Sequence, residues 1–194
     1  MANVVIVYHS GYGHTKKQAE AVHVGAAGVA GVQVQSLVIN GDGLLSDEAW
    51  AALAAADAIV FGSPTYMGMV SWQFKRFADA SSKPWFTQQW KDKLAAGFTN
   101  SASTSGDKLS TLHYLYTLAM QHGMLWVGTG MMPANHGAAT RNDLNWMGTW
   151  AGAMSVSPSD QGPDQAPQEG DLATARAFGA RIAETAIKWK KGRA

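Results

Sequence analysis

The chain has 194 residues, 46% hydrophobic and 15% charged, with a formal net charge of +1 and no cysteine. These values suit one folded domain over residues 1–194, and a charge this near zero offers no field for nucleic acid or an anionic membrane. The lack of cysteine excludes disulfides, a thiolate nucleophile and cysteine-held iron–sulfur clusters, so any redox chemistry must ride on a bound cofactor.

The opening MANVVIVYHS runs straight into a strand pattern without the charged start, apolar stretch or small-residue cleavage site of a secretory leader. No stretch approaches the roughly 18 apolar residues of a spanning helix, so a cytoplasmic protein without a membrane span is expected. Residues 3–8 predict a β-branched strand, followed by a Gly-rich loop and a helix over 15–30 that Gly31 stops. Residues 32–39 (VQVQSLVI) begin with strict alternation, the pattern of an edge strand. A short helix follows over 46–56, capped by Ser46, with Asp47 and Glu48 against the positive helix end. DAIVFG at 57–62 reads as a strand buried on both faces of a parallel sheet.

Pro64 and Gly68 make 63–69 (SPTYMGM) a loop, and 70–80 a helix after it. A strand over 93–98, a Ser/Thr/Gly loop over 100–107, a helix over 109–122 ended by Gly123, and a last core strand at 124–127 complete the alternation. Residues 128–171 exceed the usual connection of about 4 to 6 residues and read as an excursion, with 153–156 resuming the interrupted strand. Asn135, His136, Arg141, Asn142, Trp146 and Trp150 give that excursion the polar and aromatic mix of a lid or subunit contact. Phe178, Ile182, Ala186 and Trp189 mark a closing amphipathic helix over 172–190. The whole predicts an α/β fold, a parallel sheet of five strands covered by helices on both faces, with ligands outside the strands' carboxyl ends.

Three loops follow strands and should converge there: 9–15, 63–69 and 100–106. In HSGYGHT, Gly11 and Gly13 let the backbone fold back, while Ser10 and Thr15 offer hydroxyls and the helix start offers free amides to a phosphate. Neither GxxxxGK[ST] nor GxGxxG is present, so a mononucleotide monophosphate fits better than a triphosphate or dinucleotide. A plain structural turn would carry the same signature. Six histidines, His113, His122 and His136 among them, stand at no zinc-ligand spacing, so no metal is expected.

Together VYHSGYGHT, FGSPTYMG, KLAAGFTNSASTSG, HGM at 122–124 and ARAFGARIAE resemble the flavodoxin-like NAD(P)H:quinone oxidoreductases of the type first called tryptophan-repressor-binding protein, over nearly the whole chain. The resemblance implies a doubly wound flavodoxin-like sheet of order 2-1-3-4-5. It also implies FMN, its phosphate on Ser10, Tyr12, Gly13, His14 and Thr15. The ring would lie between Pro64, Thr65, Tyr66 and Met67 on one side and Asn100, Ser101, Ala102, Ser103, Thr104, Ser105 and Gly106 on the other. By the family pattern NADH or NADPH is the electron donor, binding near Tyr12, and a quinone is the acceptor in a two-electron ping-pong cycle. Trp85 lines the quinone entrance, and His122 sits over the flavin edge from a neighbouring subunit of a homo-oligomer, dimer or tetramer. The flavin carries the chemistry, and no side chain has an obligatory covalent role.

On the residues alone, plainer readings stay open: Tyr12 packing on its helix, Trp85 as a surface anchor or subunit contact, and His122 capping a helix end. The chain departs from the family in two places. The insertion usual between the second strand and second helix is reduced to NGDGLLSDE, and PTYMG replaces a loop that carries arginine and phenylalanine in the best-known members. The fold would also suit an electron carrier resembling flavodoxin, or a binding protein without catalysis.

Overall fold

A computed structural model describes residues 1–193. β1 (Ala2–Tyr8) starts the central sheet, with Val4, Ile6 and Tyr8 facing one side and Val5 and Val7 the other, as the two-residue repeat of a strand requires. α1 (His14–Ala27) leads to β2 (Val32–Val38), which among the described residues pairs only with β1 and is the edge strand its alternation predicts. α1 stops at Ala27, with the Gly28 N–H bonded to Val24 O, one turn before the predicted end at residue 30. α2 (Asp47–Ala55) is capped by Ser46, whose Oγ accepts from Ala49 N.

β3 (Ala58–Tyr66) corrects the sequence reading, because the strand runs four residues beyond Gly62 through the expected loop. β1 leaves it at Gly62 while β5 (Leu94–Ser101) stays paired as far as Pro64 and Asn100. Pro64 therefore sits where β3 has one strand neighbour, the position at which a proline costs little. Beyond it Met67 and Gly68, at φ 48° and 78°, turn the chain into β4 (Met69–Val70), a hairpin stub antiparallel to β3.

α3 (Trp72–Ala80) is capped by Ser71, and α4 (Ser82–Phe86), a short helix the sequence reading left out, follows directly. α5 (Lys108–Gln121) runs back from the end of β5, and Gly123 closes it at φ 68°. β6 (Leu125–Trp126) pairs with the start of β5, and β7 (Ala153–Val156) pairs with its end. The fifth strand is thus one line in two halves, with 127–152 looped out between them. Thr129 N bonds to Trp150 O at 2.9 Å and ties the neck of that loop. α6 (Glu169–Gly192) closes the chain.

Among the described residues the sheet has seven strands by pairing, in the order β2-β1-β3-β5-β6 with β4 and β7 off that path. Counting β6 with β7 and setting the β4 stub aside recovers the parallel order 2-1-3-4-5 of a flavodoxin-like fold. α1 and α6 cover one face over Val22, Phe178 and Ile182, and α2, α3 and α5 cover the other around Phe61, Phe74, Phe77 and Trp90. Arg141 grips the buried Asp171 at the start of α6 with both terminal guanidinium nitrogens and lies 5.1 Å from the Trp146 ring, which anchors the excursion. No helix of the described residues is long and apolar enough to cross a membrane.

Candidate functional site

β1, β3, β5 and β7 all end at one edge, and the segments that follow them enclose a cleft of about 620 Å³, within the size range of sites for small organic ligands. The turn after β1 is held by its own serine. Ser10 Oγ accepts from Gly13 N and Lys16 N, both at 3.1 Å, so its hydroxyl binds the turn first and keeps only its proton to give. Gly13, at φ 90°, then starts α1. Among the described residues, no protein acceptor takes the amides of Tyr12, His14 or Thr15.

Of the predicted residues, Tyr12, His14, Thr15, Pro64, Thr65, Tyr66, Asn100, Ser101 and Ala102 line the cleft. Thr65 Oγ1 is tied to Thr99 Oγ1 at 2.8 Å and Thr111 Oγ1 at 2.7 Å, which fixes the β3 wall. Asn100 Nδ2 donates to Ser155 Oγ at 2.8 Å and Ser157 Oγ at 2.9 Å, fixing the β5 wall to β7. Tyr12, 77% exposed, meets Tyr66 edge to face at 6.2 Å and forms the rim. Burial, and secondarily Tyr12, raises the Tyr66 phenol above its ordinary range.

Met67 is a correction. It is fully exposed at the hairpin tip and does not line the cleft, because the two-residue turn points it to solvent. Ser103, Thr104, Ser105 and Gly106 form the turn behind Ser101 and Ala102, wound around the buried Lys108 ammonium. Burial pushes that ammonium down to about 8.

The sequence reading missed a fourth wall: Ser157, Ser159, Gln161, Gly162 and Pro163. His14 Nε2–H donates to Gln161 O at 2.9 Å, Lys17 Nζ donates to Asp164 O at 3.3 Å, and Pro163 packs on Gly13, so this strap closes over the turn after β1. Its signal was present. SPSDQGPD follows the predicted strand 153–156, and a ligand outside strand carboxyl ends meets the loop after the fifth strand as well as the others.

Trp85 and His122 come together in a separate hollow of about 300 Å³ with Phe86, Gln88 and Gln121. Asp92 N bonds to Gly123 O, which sets His122 beside the start of β5. The cleft lies beyond the other end of that strand, on the order of 25 Å away. Within one chain, neither residue meets the cleft. His122 stacks on Trp90 with ring centroids 4.2 Å apart and bonds Ser81 Oγ through Nε2 at 2.9 Å, while Nδ1 is buried without a partner among the described residues.

Burial pushes the His122 imidazole down to about 4. The unfolded chain takes up that proton near pH 6.5 and the folded chain resists, so stability present above pH 6.5 is lost as the pH falls towards 4. The loss should reach up to about 3 kcal/mol, and His122→Gln should remove this part of it. Urea unfolding at pH 7 and pH 4.5 checks the point, and equal losses in wild type and variant would refute it.

The donor set of the cleft suits a phosphate monoester bearing a flat ring. Free amides and the Thr15 hydroxyl stand at the start of α1, no Asp, Glu, Lys or Arg is among the lining residues, and Tyr66 and Pro64 supply flat apolar surface. Among the described residues, no cluster of three or more metal-binding side chains forms. The NADPH-dependent FMN reductase family model matches residues 14–139. The chain belongs to that family. It is 48% identical to flavodoxin FldP of Pseudomonas aeruginosa, over 94% of this chain and 96% of that protein. It is 34% identical to an NAD(P)H dehydrogenase (quinone) of Chromohalobacter salexigens, over 97% of this chain and 98% of that one. A flavodoxin, WrbA-like protein from Agrobacterium tumefaciens has a solved structure that matches with a TM-score of 0.78 at 49% identity, covering 97% of this chain and 99% of that one. The chain is a flavodoxin-like protein of the WrbA type, and its family brings FMN as cofactor and NAD(P)H as electron donor.

Proposed function

We propose that this protein oxidises NADH or NADPH and reduces a quinone by two electrons, in alternating half-reactions at one cleft. When bound, FMN supplies the exchange of two electrons. The chain's own residues hold and orient it. The amides of Tyr12, His14 and Thr15 hold the phosphate, the strands' ends at Pro64, Thr65 and Tyr66 and at Asn100, Ser101 and Ala102 flank the ring, and the strap at 157–163 covers the middle. The observation that carries the reading is the open rim, where Tyr12 and Tyr66 offer flat faces to a nicotinamide or quinone above a cleft built for a mononucleotide. The relatives called NAD(P)H dehydrogenase (quinone) support it. Trp85, exposed beside Phe86, meets the rim of this cleft from a neighbouring subunit of a homo-oligomer, and the buried His122 backs that surface. The reaction takes place in the cytoplasm, where reduced nicotinamide nucleotides are made.

Initial rates of the FMN-loaded protein with NADH and benzoquinone should give parallel double-reciprocal lines. Intersecting lines would overturn the alternating cycle, and absence of quinone turnover would overturn the quinone assignment. A carrier role is the second reading, favoured by the 48% identity to flavodoxin FldP. Anaerobic reductive titration separates the two, since a carrier takes up its electrons in two resolved steps and the proposed enzyme in one. A colourless protein that takes up no FMN would leave only a binding role.

A further inference from the structure

Lys108 is the first residue of α5, and its side chain folds back beneath the turn that precedes it. It is wholly buried. Its ammonium donates to Ser101 Oγ at 2.9 Å, Ser103 O at 2.7 Å and Thr104 O at 2.8 Å, which uses all three N–H bonds on one loop. Gly106, at φ 53°, makes the winding possible, since a side chain there would press on Ser101 Cβ at 3.0 Å. The arrangement is that of a small cation caged by carbonyl and hydroxyl oxygens, with a covalently tethered ammonium as the cation.

Turning the Ser103 and Thr104 carbonyls inward has a consequence on the other side of the turn. Among the described residues, the amides of Ala102, Ser103, Thr104 and Ser105 find no protein acceptor, and Ser101 and Ala102 line the cleft. One of these donors belongs to the cleft-lining Ala102 and the other three to the turn behind it, with the Lys108 ammonium beneath. Arg141 and Asp171 stand near enough to act on Lys108 electrostatically and offset each other as a bidentate pair, so the cluster keeps its positive charge. Amides and a positive charge favour a bound group more strongly as that group gains negative charge. Two-electron reduction of FMN, with uptake of one proton, adds one negative charge to its ring system.

We propose that Lys108 is a positioning residue that shapes the 101–105 turn around its ammonium and, through the wall that Ser101 and Ala102 form, makes the cleft bind reduced FMN more tightly than oxidised FMN. The proposal rests on the reading that the ring lies against this loop. A residue that served only to fold the loop would change the affinity for both forms equally and leave the reduction potential where it was.

The test uses apoprotein of the full chain, wild type and Lys108→Met, titrated with FMN by fluorescence quenching, and the loaded proteins titrated to obtain the two-electron potential. Lys108→Met should weaken oxidised FMN about 10-fold and reduced FMN about 100-fold. The tenfold difference lowers the potential by about 30 mV for a two-electron couple. Unchanged affinity and potential would overturn the proposal, as would a loss of affinity with no change in potential. Should Lys108→Met not fold, Lys108→Gln, neutral but still able to donate, is judged by the same outcomes. Failure of the wild-type protein to bind FMN would refute the cofactor reading itself, a result distinct from a Lys108 variant that behaves as wild type.

Discussion

Gly25→Ala should lower the thermal midpoint by roughly 4 to 8 °C. α1 and α6 cross at backbone contact, and a methyl on Gly25 would overlap the Arg176 carbonyl and lie 2.7 Å from the Arg176 Cα. Both obstacles are main chain, so no side-chain rotation relieves them and the helices must part along their contact. Overpacking of this kind costs about 3 kcal/mol or more, and the better helix propensity of alanine returns only about 1 kcal/mol. For a chain of this length each 1 kcal/mol moves the midpoint by about 2 to 4 °C. Gly179→Ala repeats the test from the other helix, where the methyl would sit 2.9 Å from the Val22 carbonyl carbon and 3.0 Å from Ala26 N. Gly192, with nothing within 4 Å among the described residues, serves as the control. Circular dichroism melts decide the matter. A Gly25→Ala midpoint within a degree of wild type would mean that the helices do not lie this close.

Gly13→Ala should have the largest effect on oxidised FMN, raising its Kd about 100-fold, or about 2.8 kcal/mol. At φ 90° the position strains any L side chain. An added methyl would also meet Pro163 Cγ at 2.9 Å and push the strap off the turn after β1. Two walls of the cleft are disturbed by one carbon, while the strands beneath them are untouched. Gly41→Ala, in open space on the loop after β2, should bind FMN as wild type does. Fluorescence titration of the apoproteins gives both constants, and wild-type affinity in Gly13→Ala would place the phosphate elsewhere.

What could be read from the sequence followed from periodicity. Alternation in VQVQSLVI marked the edge strand, the solid run IVFG marked a strand buried on both faces, and Ser46 before two acids marked a helix start. Each of these signals lies within a few neighbouring residues. The misreadings arose where a distant neighbour overrides a local preference. Pro64 argued for a loop, yet β5 carries β3 past it because β1 has already left the sheet and no ladder bond is wanted on that side. Met67 looked like a ring wall until its pairing with Gly68 in a two-residue turn sent it to solvent. Lys108 gave no sign of its burial, since the oxygens that accept from it include two main-chain carbonyls, which any sequence supplies. The strap at 157–163 was legible by rule but was hidden inside a long excursion whose purpose was unassigned.

The divided fifth strand bears on how such proteins diversify. The stretch between β6 and β7 leaves the sheet and returns to the same line, and its stem is held by Thr129 N to Trp150 O at 2.9 Å and Trp126 Nε1 to Ala151 O at 2.7 Å. With the stem tied, doubling the length of chain beyond it costs only about 0.6 kcal/mol in closure entropy. Residues can be gained or lost there without shifting the register of the sheet or moving the turn that follows β1. Evolution has in this loop a place to vary what the protein meets at its surface while inheriting the cofactor cradle unchanged.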